Sequence, residues 1–289
     1  MTTAPTLART RAELSVALRP VSRAVVMTMG ALHDGHLALV REARGRGEQV
    51  VVTIFVNPLQ FGPTEDLDRY PRDLAGDLER LTGPGLLGAG DVVFAPEPDE
   101  VYPDGDPVVR VSAGAIGEVY EGAIRPGHLD GALTVVLKLM HLTRPDAAMF
   151  GRKDVQQLVA VARMVRDLDL GLTVVPVPTV RDADGLALSS RNAYLSADQR
   201  ETALALSRAV TAGQRAAADG AGPDAVRDAT RAVLVAAGIE PDYVALVDPQ
   251  TFGDIPDDRA TQPGAVAVLA VAGRVGDTRL IDNMDVRWA

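Results

Sequence analysis

Cysteine is absent from this 289-residue chain. Its absence excludes disulfide bonds, thiolate metal sites and thiol nucleophiles, and it is typical of a cytoplasmic protein. An excess of positive charge is also absent, because 39 Asp and Glu residues outnumber 29 Lys and Arg residues and the formal net charge is −10 at pH 7. Nucleic-acid binding needs clustered Lys and Arg side chains to neutralise phosphates, so we expect no nucleic-acid partner. An acidic protein can nevertheless hold a small polyanion with metal ions and a few well-placed cations.

Long hydrophobic runs are also missing. No apolar stretch approaches the roughly 20 residues of a membrane-spanning helix, and the region before Pro20 lacks the apolar core of a signal peptide. The chain is still 47% apolar and 24% charged, which permits one large or two ordinary domains with buried cores. We therefore expect a soluble cytoplasmic protein with no membrane partner.

The most informative stretch is Met27–Val40, which follows the apolar run Ala24–Val26 and leads into a helical pattern. A strand that passes through a glycine-containing turn into a helix N-terminus provides an anion site, because the first-turn N–H groups have no partners within the helix. His33 and His36 would share one face of that turn, with room for a ligand at Gly35. An ordinary helix start with two surface histidines explains the pattern equally well.

A second polar loop follows the β-branched run Val50–Val56. This run predicts a parallel strand buried on both faces, and strand, helix and strand at this spacing form a βαβ unit. Ligands bind beyond the carboxyl ends of such strands, so Gly30, His33 and Asn57–Gln60 are expected at one rim. Simple turn chemistry is the alternative for the loop.

Two further segments suit phosphate binding. Gly151 follows the predicted strand Ala147–Phe150, and Lys153 lies in the first turn of the next helix, where a cation opposes the macrodipole. Bound phosphate would explain this lysine, and solvation beside Asp154 would explain it as well. In the segment Ser189–Arg191, hydroxyls and a guanidinium can wrap a triphosphate. The same serines could instead cap a short helix.

The remaining pattern predicts two domains. Further strands are predicted at Asp91–Ala95, Val108–Val111 and Leu172–Val177, and beyond Ser196 two alanine-rich helices precede three strands. The fold class is α/β, with a Rossmann-like parallel-sheet domain over residues 1–175 and a smaller α+β domain over residues 176–289.

Together these motifs resemble the pantothenate synthetase (pantoate–β-alanine ligase) family over most of the chain. The step from His33 to His36 alone is shared with the wider superfamily of nucleotidylyltransferases and class I aminoacyl-tRNA synthetases. The runs Ile54–Phe61, Lys153–Gln157 and Asp184–Asn192 are much more specific. Several independent segments in one order make coincidence a poor explanation.

The resemblance implies an enzyme that uses ATP with Mg²⁺ and has no tightly bound organic cofactor. In this family the pantoate carboxylate attacks the α-phosphate, which gives pantoyl adenylate and pyrophosphate, and the β-alanine amine then displaces AMP. A homodimer is also implied, as is a C-terminal domain that closes over the ATP site.

The resemblance assigns roles to individual positions. The catalytic groups at the phosphates would be His33, His36, Lys153, Ser189, Ser190 and Arg191. The nucleotide would further contact Met29, Gly30, Gly35, Gly151, Asp154, Val180 and Leu188. The acid-binding residues would be Gln60, Gln157, Asn57, Arg125 and His128, and Asp77 would be the candidate metal ligand.

Two departures from the family pattern concern charge. Arg152 stands where the family usually has a glutamate, which adds a cation beside Lys153. Gly76 takes one position of an acidic cluster linked with metal binding in relatives, and Asp73 and Asp77 are left nearby. This weakens the case for a protein-held Mg²⁺, although ATP would bring its own.

Two other functions share the same motifs. A nucleotidylyltransferase that adenylylates another small acid or a phosphorylated acceptor would use the same histidines, but an acceptor phosphate calls for cations where this chain has Gln60 and Gln157. A non-catalytic nucleotide-binding module would bind ATP without turnover. The acidic charge argues against a tRNA synthetase.

Overall fold

The computed structural model describes residues 4–63, 65, 67–256 and 264–288 of the chain. The chain divides into two compact units. The first consists of Met1–Gly151 and Ala160–Pro178, and the second of Arg152–Val159 and Thr179–Ala289. The sequence suggested a boundary after residue 175, whereas this division also assigns Arg152–Val159 to the second unit.

The first unit contains a six-stranded, fully parallel sheet. Its strands are β1 (Thr6–Ala8), β2 (Arg23–Thr28), β3 (Gln49–Ile54), β4 (Val92–Phe94), β5 (Ala147–Gly151) and β6 (Thr173–Val177). Their spatial order is β1-β4-β3-β2-β5-β6. From β2, the sheet continues through β3 and β4 on one side and through β5 and β6 on the other. The direction in which the chain adds strands therefore changes between β2 and β5. A crevice beyond the carboxyl ends of the strands at such a switch point is the usual ligand site of this architecture.

Buried β-branched residues explain why these segments form strands. Val25 pairs with Val51 in β3 and with Ala148 in β5, and all three residues have no exposed surface. Continuous apolar runs of this kind are typical of parallel strands that are covered on both faces. The Rossmann-like α/β class predicted from the sequence is confirmed.

Helices cover the sheet and connect its strands. They are α1 (Arg11–Ala17), α2 (Asp34–Arg44), α3 (Leu74–Thr82), α4 (Pro98–Val101), α5 (Tyr120–Ile124), α6 (His128–Thr143) and α7 (Val155–Asp167). The prediction of a strand at Val108–Val111 was wrong. These residues form bends and coil, and Val108 and Val109 are 100% and 85% exposed, so their β-branched side chains find no sheet to join.

The second unit is a small α+β domain, as the sequence predicted. It contains α8 (Ala197–Ala218), α9 (Pro223–Ala236) and the antiparallel strands β7 (Pro241–Val247), β8 (Val266–Val275) and β9 (Thr278–Arg287). The strand order is β7-β8-β9. Gly213 on α8 allows tight packing, because a Cβ there would lie 2.2 Å from Thr230 Oγ1 and 2.4 Å from Leu269 Cδ2. Across the described ranges, no helix is both long and apolar enough to cross a membrane.

Candidate active site

A buried carboxylate on α3 fixes the conformation of the turn after β2. Asp77 accepts hydrogen bonds from the main-chain N–H groups of Ala31 (3.2 Å) and Leu32 (2.7 Å). Gly30 and Ala31 both have positive φ, +83° and +50°. A Cβ at Gly30 would lie 2.9 Å from Asp77 Oδ2, so glycine is required on steric as well as conformational grounds. Asp77 thus fixes the turn that leads into α2.

His33 and His36 meet at the N-terminus of α2. His33 is the N-cap residue, and its Nδ1 accepts from the Gly35 N–H at 3.2 Å. His36 reaches back, and its Nδ1 accepts from the His33 N–H at 3.3 Å. The two ring centroids are 4.1 Å apart. Both Nδ1 atoms are engaged, so the imidazoles form a capping box at the positive end of the helix macrodipole.

The loop after β3 is organised by Asn57. Its side chain caps the 3₁₀ turn Pro58–Gln60, donates to the carbonyl of Gly131 at 3.1 Å, and accepts from the Tyr102 hydroxyl at 2.9 Å. The Tyr102 hydroxyl is protonated at neutral pH and can donate, and burial raises its pKa further. Asn57 is 1% exposed and holds the turn in place, and the substrate contact that the resemblance assigns to it stays a prediction.

Gln60 is presented by that turn. Its Nε2 donates to the sulfur of Met29 at 2.8 Å, and its Oε1 accepts from Asn57 Nδ2 at 3.2 Å. Two of the predicted contacts, one from each of the loops after β2 and β3, are therefore adjacent. The predicted common rim at the carboxyl ends of these strands is present.

The main-chain carbonyl oxygen of Gln60 is the first member of a series of hydrogen bonds between polar side chains. His128 Nδ1 lies 2.7 Å from it, and His128 Nε2 lies 2.9 Å from Arg125 Nη1. Arginine can only donate, so His128 Nε2 accepts and Nδ1 carries the proton. Burial and the Arg125 charge lower the pKa of His128, which favours this neutral form.

Arg125 in turn binds Glu65 with two hydrogen bonds, Nε to Oε1 at 2.8 Å and Nη2 to Oε2 at 2.5 Å. Sequence reasoning missed Glu65. Its partner is 60 residues away in the chain, and the polar stretch that contains it carries no periodic signal. A bidentate pair of this geometry fixes the guanidinium plane and leaves one nitrogen for His128.

Lys153 belongs to the second unit, in a 3₁₀ turn at Arg152–Asp154 directly before α7. Its Nζ lies 3.9 Å from Asp154 Oδ1, at the limit of an ion pair, and its side chain is 21% exposed. The neighbouring Arg152, the departure from the family pattern, forms an ion pair with Asp285 on β9. The additional cation is therefore compensated within this chain.

The segment 180–188 forms a tight hairpin in the same unit. The Leu188 N–H donates to the Val180 carbonyl at 3.0 Å, so these two predicted nucleotide contacts are neighbours. Arg181 beneath them forms a bidentate pair with the buried Asp282 on β9, at 2.7 and 2.8 Å. This hydrogen bonding raises the pKa of Arg181, which stays charged.

The hydroxyl of Ser189 caps the 3₁₀ turn Ser190–Tyr194 and accepts from the Arg191 N–H at 3.3 Å. The capping interpretation is thus confirmed for Ser189. Ser190, Arg191 and Gln157 are all half-buried, so each keeps surface for a ligand. Phosphate binding by this segment stays a prediction.

A metal cluster is not evident in the described residues, where no three His, Cys, Asp or Glu side chains are grouped for one ion. Each Asp77 oxygen already accepts a main-chain N–H. Each oxygen keeps a second lone pair, but Asp77 belongs to no group of three such ligands in the described part of the chain. The residues present therefore do not form a complete Mg²⁺ site, and the assignment of Asp77 as a metal ligand stays a prediction.

The parallel sheet, its switch point and the small antiparallel unit together define a Rossmann-like α/β protein. Comparison with family models is more specific, because residues 3–285 match the model described as pantoate-beta-alanine ligase. The chain belongs to the pantoate–β-alanine ligase family.

Individual relatives agree along the whole chain. The pantothenate synthetase of Streptomyces avermitilis is 53% identical, with 98% of each chain covered. The crystal structure of pantothenate synthetase from Thermus thermophilus superposes with a TM-score of 0.90 at 46% identity, over 96% of this chain and 98% of that one. The pantoate-beta-alanine ligase of Francisella tularensis, complexed with beta-gamma ATP and beta-alanine, has a TM-score of 0.77 at 30% identity, with 97% of each chain covered.

Proposed function

We propose that this ligase makes pantothenate from pantoate, β-alanine and ATP in two steps on the loops described above. The pantoate carboxylate attacks the α-phosphorus and expels pyrophosphate, which forms an acyl adenylate. The β-alanine amine then attacks the acyl carbon and expels AMP. The family match and the Francisella tularensis relative complexed with beta-gamma ATP and beta-alanine support this assignment.

The arrangement of His33 and His36 carries the proposal. Because their Nδ1 atoms serve the helix cap, we assign the Nε2 edges to the phosphates, next to the first-turn N–H groups of α2. Donors fixed in this way stabilise the charge that develops on the α-phosphoryl group without reorganising during the reaction. An ordinary helix start needs no pair of imidazoles whose ring centroids lie 4.1 Å apart.

The second unit would supply cations for the phosphates. We assign the β- and γ-phosphates to Lys153, Ser189, Ser190 and Arg191, and the ribose to Asp154. Gly151, Val180 and Leu188 would place the adenine through main-chain groups, and Met29, Gly30 and Gly35 would line the nucleotide. In this proposal the C-terminal domain closes over bound ATP, and the enzyme is a cytoplasmic homodimer like other members of the family.

Pantoate would be held by neutral amides. Gln60 is fixed from both sides by Met29 and Asn57, and Gln157 is half-buried in the first turn of α7. Amides can orient the hydroxyl and carboxylate oxygens, and unlike a tight arginine pair they leave the carboxylate nucleophilic. Arg125 and His128 would act through the main chain of Gln60. Mg²⁺ would arrive with the triphosphate.

The test is a turnover assay with ATP, Mg²⁺, pantoate and β-alanine, in which AMP formation is followed. We expect AMP to appear only when both pantoate and β-alanine are present. Pyrophosphate release without β-alanine-dependent AMP would indicate a nucleotidylyltransferase. ATP binding without any turnover would indicate a non-catalytic module.

A further inference from the structure

Asn283 on β9 is buried, 6% exposed, and its side chain forms hydrogen bonds with the turn that carries Lys153. Its Nδ2 donates to the carbonyl of Arg152 at 2.9 Å and to the carbonyl of Lys153 at 2.8 Å. A primary amide has two N–H donors, and both are used on consecutive carbonyls of this turn.

These two carbonyls belong to the peptide planes on either side of the Lys153 Cα. Each plane is rigid, so the only soft rotations at Lys153 are its φ and ψ. Two hydrogen bonds that hold both planes also hold φ and ψ, and with them the direction in which the Cα–Cβ bond leaves the backbone. Asn283 therefore determines where the ammonium group of Lys153 can reach, although it does not touch that group.

The strand that carries Asn283 is itself anchored on both sides of this position. Asp282 accepts the Asn283 N–H at 2.8 Å and is paired with Arg181 of the 180–188 hairpin. Asp285 forms the ion pair with Arg152, and its carbonyl accepts from Gln214 Nε2 of α8 at 2.8 Å. β9 thus joins the Lys153 turn to the hairpin and to α8 within the second unit.

We propose that Asn283 is a positioning residue for adenylate formation, which aims Lys153 at the triphosphate. This inference rests on the proposed function, in which Lys153 binds the phosphates. If Asn283 only stabilised the fold, its substitution would lower the melting temperature but would not act through Lys153. The exchange rate, measured with and without Lys153, separates the two roles.

The test measures pantoate-dependent exchange of pyrophosphate into ATP, together with the Kd of ATP and the melting temperature. Asn283→Ala removes both donors, and Asn283→Asp keeps the volume but directs an oxygen at two carbonyls. A displacement of about 1 Å can cost roughly 100-fold in rate, so we expect kcat for exchange to fall about 10- to 100-fold in either variant. Gln214→Leu is the matched control, because it removes an amide-to-main-chain bond from the same strand but none from the turn. It should stay within about twofold of the wild type.

A double-mutant cycle with Lys153→Ala decides the mechanism. In the Lys153→Ala background, Asn283→Ala should cause no further loss in exchange rate or ATP affinity, because residues that act as one unit are non-additive. Equal factors in both backgrounds would overturn the proposal, and so would unchanged exchange in both Asn283 variants. Failure of both variants to fold would also overturn it, since Asn283 would then serve the fold. Absence of AMP formation by the wild type would overturn the proposed function. An unchanged exchange rate in Lys153→Ala would show that Lys153 does not bind the phosphates.

Discussion

The carboxylate of Asp77 accepts a 2.7 Å hydrogen bond from the main-chain N–H of Leu32, 45 residues earlier in the chain. The main-chain N–H of Ala31 donates a second hydrogen bond to the same carboxylate, so Asp77 holds two consecutive residues of the turn between β2 and α2. This relationship makes Asp77 a support of the candidate phosphate site, and its assignment as a metal ligand stays a prediction.

Asp77→Ala should therefore impair both stability and adenylation. Two main-chain donors lose their acceptor, and each buried unsatisfied group costs about 1–3 kcal/mol. We expect the free energy of unfolding in urea to fall by about 2–4 kcal/mol, and the KM for ATP to rise. Asp73→Ala is the control, because it removes the N-cap of the same helix, worth about 1 kcal/mol, without touching the turn. A normal KM for ATP in Asp77→Ala would contradict this supporting role, whereas a changed Mg²⁺ requirement would favour the assignment of Asp77 as a metal ligand.

Stability should depend on pH through His128. Burial and Arg125 lower its pKa in the folded protein, whereas Gln60, Glu65 and Glu121 oppose this only partly. The unfolded chain therefore binds more protons below a pH of about 6.5, and the free energy of unfolding should fall as the pH drops from there toward the folded-state pKa.

His128→Asn should remove most of this dependence, because the amide nitrogen can still donate to the Gln60 carbonyl but does not titrate. His141→Asn, at an exposed position near the end of α6, should leave it intact. Urea titrations between pH 5 and 8 at constant ionic strength would measure the slope. A slope that survives in His128→Asn would show that other groups cause it.

Gly131→Ala should damage the pantoate side selectively. A Cβ at this position would lie 2.1 Å from the Leu59 carbonyl oxygen, so the 3₁₀ turn that carries Gln60 must shift. Overpacking of this kind costs about 1–3 kcal/mol, and we expect the KM for pantoate to rise more than the KM for ATP. Gly171→Ala, which meets no atom within 4 Å, is the control. Parallel increases in both KM values would contradict a local effect on the turn.

Arg152→Glu restores the residue usual in the family but places it opposite Asp285. The ion pair is about one-third exposed on both sides, so its loss and the new repulsion should cost about 1 kcal/mol of unfolding free energy. Asp285→Arg in the same chain should recover most of that loss, measured by chemical denaturation at low salt. If the double variant is no more stable than Arg152→Glu alone, the two side chains do not interact in solution.

Most of the sheet could be predicted from the sequence, because apolar runs such as Val50–Val56 are dictated by burial on both faces. The same rule failed at Val108–Val111, since β-branched residues indicate a strand only where a neighbouring strand exists to receive them. The sequence did not identify His33 as the N-cap residue of α2, because histidine is not among the usual N-cap residues.

The candidate site was predictable where its residues follow strands directly. Glu65 and Asn283 could not be found in this way, because their partners are 60 and about 130 residues away and pairing at such a distance leaves no periodic trace. Asn57 was identified from the sequence, but its burial beneath the turn was not, since turn residues and ligand-binding residues have the same composition.

Helix α7 runs across the division between the two units, with its residues up to Val159 in the second unit and those from Ala160 in the first. The chain therefore enters the second unit twice. In evolutionary terms the two units cannot be exchanged as single gene segments. A recombination event after Pro178 would combine the Lys153 turn of one parent with the β9 strand of another. Arg152 and Asp285 would then be inherited separately, so their opposite charges must be co-inherited or re-evolved as a pair.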